Sequence, residues 1–137
     1  MSKVILVSHG QLSAGLHDTL NMFATSEDVL HFGLNKGESA DDFGKRVLNE
    51  LRTMDSNEEY IVLADIIGGS PLTTTLNVFN ELGIKNFRVL GGMNLAMAIN
   101  AVLMKDAGLD TAVSMALSES QQSVAEFKLE NSEDEEI

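Results

Sequence analysis

The sequence predicts an α/β fold with an open, doubly wound, mainly parallel sheet. Apolar runs rich in β-branched residues alternate along the chain with segments of helical periodicity, a pattern typical of right-handed βαβ units. Four such runs favour an open, doubly wound sheet with the strand order 2-1-3-4. A closed eight-fold barrel is not expected, because it needs roughly twice the 137 residues of this chain. We expect a single domain over residues 1–130, followed by an acidic tail over residues 131–137.

The first half of the chain contains two strand–helix units. The run from Lys3 to Val7 lacks polar alternation, as in a strand buried on both faces, and Gly10 ends it. A helix is predicted from about Ser13. The second run, from Val29 to Leu34, contains a glycine and is expected near an edge of the sheet. Ser39 is predicted as the N-cap of the next helix.

The second half contains the third run, Tyr60 to Ala64, and the fourth, Phe87 to Leu90. Between them stands the only proline of the chain. Its position predicts Ser70 as a helix N-cap and Pro71 as the first helical residue. A helix from about Leu95 to Lys105 is apolar nearly all round, so both of its faces are expected to be covered.

The C-terminal part of the chain is predicted to hold one more helix and a short strand. Asp110 is the expected cap of that last helix. The short strand is placed at Phe127 to Glu130, where it would close the fold.

Composition and charge exclude several classes of function. The chain has no cysteine, so disulfide scaffolds, thiol catalysis and thiolate metal sites are ruled out. A net charge of -12 and a pI near 4.4 disfavour nucleic acid and anionic membranes as partners. No signal peptide is visible, and the longest uncharged run, Val89 to Met104, is too short to span a bilayer. We therefore expect a soluble, cytoplasmic protein without direct membrane insertion.

Residues suited to chemistry follow the first and third runs. In this architecture ligands bind at the carboxyl ends of the strands, where the strand order reverses. His9 follows the first run and Asp65 follows the third, and the order 2-1-3-4 makes these runs neighbours. A carboxylate beside a histidine fixes the ring tautomer and leaves one nitrogen as a nucleophile. We therefore predict His9 and Asp65 as catalytic residues.

A glycine turn at the same edge predicts an anion site. The backbone N–H groups of Gly69, Ser70 and Leu72 open a helix whose N-terminus attracts anions, whereas Pro71 has no N–H to donate. Gly10 lies at the same edge and is a further expected donor. The predicted phosphate-binding residues are Gly10, Gly69, Ser70 and Leu72.

Each of these residues also has a plainer interpretation. His9 alone could be bonded to a backbone carbonyl, Asp65 could cap the turn that follows it, and Ser70 could act only as a helix cap. The coincidence of all three at one edge favours the functional interpretation. His17 and His31 are expected to be exposed polar residues.

At these residues the sequence resembles the enzyme IIA component of the mannose family of the bacterial phosphoenolpyruvate-dependent sugar phosphotransferase system. The SHG element after the first run together with D-x-x-G-G-S-P after the third is specific as a pair. The resemblance covers essentially the whole chain and is carried by ILVSHGQLSAGLHDT at residues 5–19, LADIIGGSPLTTT at residues 63–75 and VLGGMNLAM at residues 89–97.

The resemblance implies a function and an assembly. His9 would accept a phosphoryl group from the phosphocarrier HPr and pass it to a IIB component, with Asp65 orienting the ring and Ser70 contacting the phosphoryl group. It implies a homodimer that exchanges a fifth antiparallel strand, placed here at Phe127 to Glu130. It implies no metal and no organic cofactor, and the absence of an attached IIB domain predicts a separate subunit.

Two positions depart from the family pattern, and two other functions remain open. Many members have asparagine at the position of Thr73 and proline at that of Ala96. The chain could instead be the phosphoryl donor subunit of a dihydroxyacetone kinase. A Ser/His/Asp hydrolase using Ser70 is a weaker alternative, because G-G-S-P lacks the G-x-S-x-G nucleophile elbow.

Overall fold

The computed structural model describes residues 2–129 of the chain. Within that range, strands and helices alternate until the last two helices, which follow each other. The strands are β1 Ser2–His9, β2 Val29–Leu34, β3 Glu59–Ala64 and β4 Phe87–Leu90. The helices are α1 Leu12–Leu20, α2 Ala40–Leu51, α3 Ser70–Leu82, α4 Leu95–Met104 and α5 Leu109–Ser123, with a short 3-10 helix at Lys105–Ala107 between the last two.

The four strands form one parallel sheet in the order β2-β1-β3-β4, which confirms the predicted topology. In the register of this sheet, Val7 of β1 aligns with Phe32 of β2 and with Ala64 of β3. β1 and β3 consequently end at the same edge. The residues that follow these two strands leave the sheet side by side.

Alternate residues of β1 face two different helical layers. Val4 and Leu6 pack in one apolar cluster with α1, α4 and α5, whereas Ile5 and Val7 pack in another with α2 and α3. All four side chains are fully buried. Burial on both faces explains why this run of the sequence shows no polar alternation.

The cap predicted for α2 is confirmed, but the cap predicted for α3 is wrong. The hydroxyl of Ser39 accepts the backbone N–H of Asp42 at 3.0 Å. α3 starts one residue earlier than predicted: Gly69 is its N-cap, and Ser70 is its first residue. Pro71 fits as the second helical residue, because the backbone N–H that proline lacks would have no partner within the first turn of a helix.

The start of α5 also differs from the prediction. Its N-cap is Gly108, with φ of 98°, a backbone conformation that favours glycine. Asp110 lies inside the first turn, where it pairs with Arg88 at 2.7 Å.

Only part of α4 is covered within this single chain. Met97, Ala98, Ala101 and Val102 are buried, but the side chain of Leu103 is 60% exposed. The expectation that both faces of this helix are covered is therefore not met by the chain's own helices.

The chain after α5 runs along the surface. Residues 124–128 have no regular secondary structure, and Val124, Phe127 and Leu129 are exposed. Of the predicted fifth strand, residues 127–129 pair with none of the strands between residues 2 and 129, and Glu130 lies outside the described residues, as does the acidic tail over residues 131–137. A strand exchanged between subunits would need the second subunit for its hydrogen bonds, so this part stays a prediction.

The helices between residues 2 and 129 are all too short or too polar to cross a membrane.

Candidate functional site

Two loops meet at the carboxyl end of the sheet. His9 is the last residue of β1, and Asp65 directly follows β3. The backbone N–H of Asp65 still donates to the carbonyl of Val7 at 3.2 Å, which extends the pairing of the two strands by one residue. The parallel register therefore fixes the two residues next to each other.

One carboxylate oxygen of Asp65 contacts His9 at two points. Its Oδ2 accepts the backbone N–H of His9 at 2.9 Å and lies 3.0 Å from Nδ1 of the same residue. An ionised carboxylate only accepts hydrogen bonds, so the proton lies on Nδ1 and the lone pair on Nε2 is free. The side chain of His9 is 47% exposed, against 13% for Asp65. The geometry presents an oriented nucleophile to the outside.

Hydrogen bonds hold Asp65 in its ionised form. Partial burial raises the pKa of Asp65, but hydrogen bonds from the backbone and ring of His9 and from the backbone of Ile66 outweigh burial. The resulting pKa lies below its usual value. The bond from Ile66 reaches Oδ1 at 2.8 Å. Both oxygens are thus occupied, which fixes the carboxylate as well as the imidazole.

The imidazole of His9 lies against the start of α3. A Cβ atom built on Gly69 would stand 3.0 Å from Cε1 of His9 and 3.7 Å from Nε2. The absence of a side chain at position 69 allows this approach. Ser70 is exposed and its hydroxyl bonds to no other described residue, while Leu72 is buried with its side chain in the core. Gly69, the N-cap of α3, therefore lies next to the ring of His9, and Ser70 and Leu72 follow it in the first turn of that helix.

Gly10 is not available as the anion donor that the sequence predicts. Its backbone N–H donates to the carbonyl of Leu34 at 2.8 Å, so it is not available to a bound anion. Gly10 has φ of 58°, which favours glycine, and its carbonyl oxygen would be only 2.1 Å from a Cβ on Gly33. Its role in the structure is to turn the chain sharply after His9.

The geometry does not form the catalytic triad of a serine hydrolase. Such a triad needs a hydrogen bond between the serine hydroxyl and the ring nitrogen that faces away from the acid. Within residues 2–129 no hydrogen bond joins Ser70 to His9. Ser70 also starts a helix by its backbone, without the side-chain cap that the sequence predicts.

Sequence reasoning missed a contact between the other two histidines. Nδ1 of His17 on α1 lies 2.7 Å from Nδ1 of His31 on β2, and the rings meet edge to face. Burial and the neighbouring His31 lower the pKa of His17. The two residues are 14 positions apart, and only the packing of α1 on β2 could reveal the contact. In the described part of the chain, His, Asp and Glu side chains do not gather in groups of three that could hold a metal ion.

Comparison with known proteins agrees with this fold. Residues 3–119 match the family described as PTS system fructose IIA component, which is well over half of the chain. The fold and the oriented histidine thus define a component of a sugar phosphotransferase system. The chain belongs to the mannose-type IIA family of that system.

Solved structures of this family have the same fold. The phosphotransferase component EIIA from Streptococcus agalactiae is 28% identical, with a TM-score of 0.79 over 93% of this chain and 98% of its own. The IIA protein associated with the fucose utilization operon of Streptococcus pneumoniae is 27% identical, with a TM-score of 0.74 over 96% and 95%. The mannose/sorbose specific IIA subunit from Enterococcus faecalis has a TM-score of 0.80 at 24% identity, over 93% and 96%, and it shows likeness of fold.

Proposed function

We propose that this protein is a phosphohistidine carrier that accepts a phosphoryl group from HPr on Nε2 of His9 and passes it to a IIB component. The observation that carries the proposal is the contact of 3.0 Å between Nδ1 of His9 and Oδ2 of Asp65. It assigns the ring proton to Nδ1 and leaves Nε2 as the nucleophile at the surface.

The transfer of the phosphoryl group between the two histidines requires neither a metal nor an added proton. The lone pair of Nε2 forms a bond to phosphorus as the bond between phosphorus and the donor's ring nitrogen breaks, and that electron pair stays on the donor. The proton on Nδ1 of His9 remains in place, so the phosphorylated ring carries positive charge. Asp65, whose pKa is held low by its hydrogen bonds after the opposing effect of burial, offsets that charge. Transfer to IIB returns the electron pair to Nε2.

The first turn of α3 is the proposed support for the phosphoryl group. Backbone N–H groups of Gly69, Ser70 and Leu72 stand at the positive end of the helix dipole, and the hydroxyl of Ser70 is unbonded within the described residues. Within residues 2–129, no lysine or arginine side chain hydrogen-bonds to His9 or Asp65. Such a site favours brief holding over tight storage of an anion, as a carrier requires.

The surface beside His9 suits a protein partner. Leu12 on α1 and Ile66 and Ile67 on the loop before α3 are exposed apolar side chains, with Ile67 at 71%. Apolar side chains near a half-exposed nucleophile are typical of a surface that docks another protein. This supports direct histidine-to-histidine transfer, in which the partner covers the site and excludes water.

We also propose that the chain forms a homodimer. The support is a set of apolar side chains that the described part of the single chain leaves exposed, namely Leu103 on α4 and Val124, Phe127 and Leu129 after α5. β4 is a four-residue strand at the edge of the sheet, where a strand from a second subunit could pair.

The test of the carrier function is reconstitution with enzyme I, HPr and labelled phosphoenolpyruvate, followed by mass mapping of the modified residue. We expect one phosphoryl group on His9, none on a folded His9→Ala variant, and loss of the label when a IIB component is added. His31→Ala is the matched control and should label like the wild type. Unchanged labelling of His9→Ala, or a label mapped elsewhere, would overturn the proposal.

A further inference from the structure

The turn that follows His9 rests on the carboxyl end of β2. The backbone N–H of Gly10 donates to the carbonyl of Leu34 at 2.8 Å. The carbonyl oxygen of Gly10 lies so close to Gly33 that a Cβ atom there would stand 2.1 Å from it. The same Cβ would lie 3.5 Å from the hydroxyl of Ser13, which is buried without a hydrogen-bond partner within residues 2–129. β2 therefore supports the His9 turn on the side opposite β3.

A side chain of α2 fixes the same end of β2 from outside. Successive carbonyls of a strand point to opposite sides, so the carbonyl of Leu34 faces β1 and that of Gly33 faces away from it. β2 lies at the edge of the sheet, where no strand between residues 2 and 129 can bond to this outer carbonyl. Nη2 of Arg46 donates to it at 2.8 Å. Arg46 thus supplies the bond that a further strand would otherwise make.

Glu38 holds the guanidinium of Arg46 in this position. Nε of Arg46 donates to Oε2 of Glu38 and Nη2 donates to Oε1, both at 2.8 Å. Oε1 also accepts the backbone N–H of Asn35 at 3.0 Å. The bonds from Arg46, and then the bond from Asn35, lower the pKa of Glu38 to about 2, although slight burial acts in the opposite direction. The carboxylate therefore stays ionised, and the planar fork of the guanidinium keeps one geometry.

The bonds of Arg46 serve orientation more than stability. Its side chain is 45% exposed, and exposed ion pairs contribute little to the free energy of folding. We propose that Arg46 is a positioning residue for His9. By holding Gly33 it fixes the end of β2 on which the turn after His9 rests, and thereby the direction in which Nε2 faces a partner. This role rests on the phosphoryl transfer proposed for His9.

The kinetic test measures single-turnover transfer to His9 while the concentration of phosphorylated HPr is varied. Arg46→Gln should lower the rate at saturating donor about three- to tenfold, a fraction of the roughly 100-fold that a misplacement of about 1 Å can cost. The donor concentration that gives half of this rate should change less than about twofold, because Arg46 does not contact the donor. Glu38→Gln should cause a similar loss. The double variant should lose no more than either single variant, because both changes remove the same support.

A second readout follows the ring of His9 in the unphosphorylated full chain. The nitrogen chemical shifts of Nδ1 and Nε2 of the neutral ring, observed by NMR through its carbon-bound protons, report which nitrogen carries the proton. Arg46→Gln should move the two shifts toward each other, because a ring held less firmly against Asp65 populates both tautomers. This readout needs no transfer, so it distinguishes failure of this proposal from failure of the carrier function.

Lys45→Gln is the matched control. It removes the neighbouring exposed cation of α2, which lies 3.9 Å from Asp41, and it should keep the saturating rate and the ring shifts of the wild type. A wild-type saturating rate for Arg46→Gln would overturn the proposal, as would unchanged ring shifts of His9. A loss confined to the half-saturating donor concentration would also overturn it, because it would mark Arg46 as a contact of the donor. Additive losses in the double variant would be equally contrary.

Discussion

Oδ2 of Asp65 lies 2.9 Å from the backbone nitrogen of His9 and 3.0 Å from its Nδ1, so a single oxygen atom fixes both the main chain and the ring of that histidine. The two residues are 56 positions apart in the sequence. Their contact exists because β1 and β3 are parallel neighbours that end at the same edge. The pairing of β1 with β3 therefore determines the orientation of the His9 ring.

Replacement of Asp65 by alanine should slow phosphoryl transfer to His9 without abolishing it. The nucleophile remains, but the ring loses its orientation and the charge that offsets the phosphorylated form, which predicts a loss of about 10- to 1000-fold. The rate of labelling from phosphorylated HPr at saturating concentration measures it. Asp41→Ala, at an exposed position on α2, serves as the control. A wild-type rate for Asp65→Ala would show that the carboxylate is only structural.

The chemical stability of the label distinguishes histidine from serine. Phosphorylation of Nε2 of His9 gives a phosphoramidate, which we expect to hydrolyse in acid and to persist in alkali. Labelled protein held in dilute acid and in dilute alkali and then counted provides the measurement. A label that survives acid would point to the hydroxyl of Ser70 instead.

Gly69→Ala should impair transfer while the protein stays folded. The added Cβ would lie 3.0 Å from Cε1 of His9 and push the ring away from α3. Gly69 has φ of -76° and ψ of 159°, a conformation open to alanine, so no backbone strain is added. Gly15→Ala is the matched control, since its Cβ meets open space and replaces a helical glycine. We expect the control to label normally and to gain about 0.5–1 kcal/mol of stability. Equal labelling rates for the two variants would contradict the crowding argument.

The dimer proposal predicts a particle of twice the 14.8 kDa chain mass at micromolar concentration. Leu103→Glu should shift the protein toward monomer, because it places a charge on the uncovered part of α4. Lys36→Gln, at an exposed turn, changes the net charge by the same amount as Leu103→Glu and should leave the mass of the particle in solution unchanged. Light scattering measures both variants. A monomeric wild type at this concentration would refute the dimer.

Stability should fall as the pH drops below about 6.5, with His17 as the group responsible. Burial first, and then the charge of His31, lower the pKa of His17 from 6.5, although a hydrogen bond with the backbone of Ser26 and the charge of Asp18 act in the opposite direction. The folded state thus prefers the neutral ring. The neutral His17 ring contributes its full stabilisation above pH 6.5, and this contribution is lost as the pH falls through the lower pKa that His17 has in the folded state. Urea unfolding between pH 5 and 8 should show this slope in the wild type and a smaller one in His17→Gln. An identical slope in both proteins would rule His17 out.

Much of the fold could be predicted because local patterns and burial agree. The continuous apolar runs at β1 and β3 arise because both strands are covered on two sides, and β2 and β4 start and end where the sequence places them. The helix starts were less predictable. Ser70 and Asp110 have the right chemistry for a cap, but Gly69 and Gly108 take that position, because backbone geometry at a loop can replace a side-chain cap.

The structure brings His9 and Asp65 together as the argument from topology predicts, whereas the predictions based on residue type alone are incomplete. His9 and Asp65 meet because of the strand order, which the alternation of elements indicates. Gly10 was expected to donate to an anion, but Leu34 on the neighbouring strand takes its N–H. The contact between His17 and His31 and the unbonded hydroxyl of Ser13 have no sequence signal, since each depends on a helix packing against a strand.

The sequence by itself determined the α/β class, the parallel order of the strands and the residues placed at the candidate site, because hydrophobic period and turn residues act locally. Only the tertiary structure decided which hydrogen-bond donors remain free. A backbone N–H or a hydroxyl is available to a ligand only if no neighbouring strand or helix has already satisfied it, and that depends on distances between segments far apart in the chain.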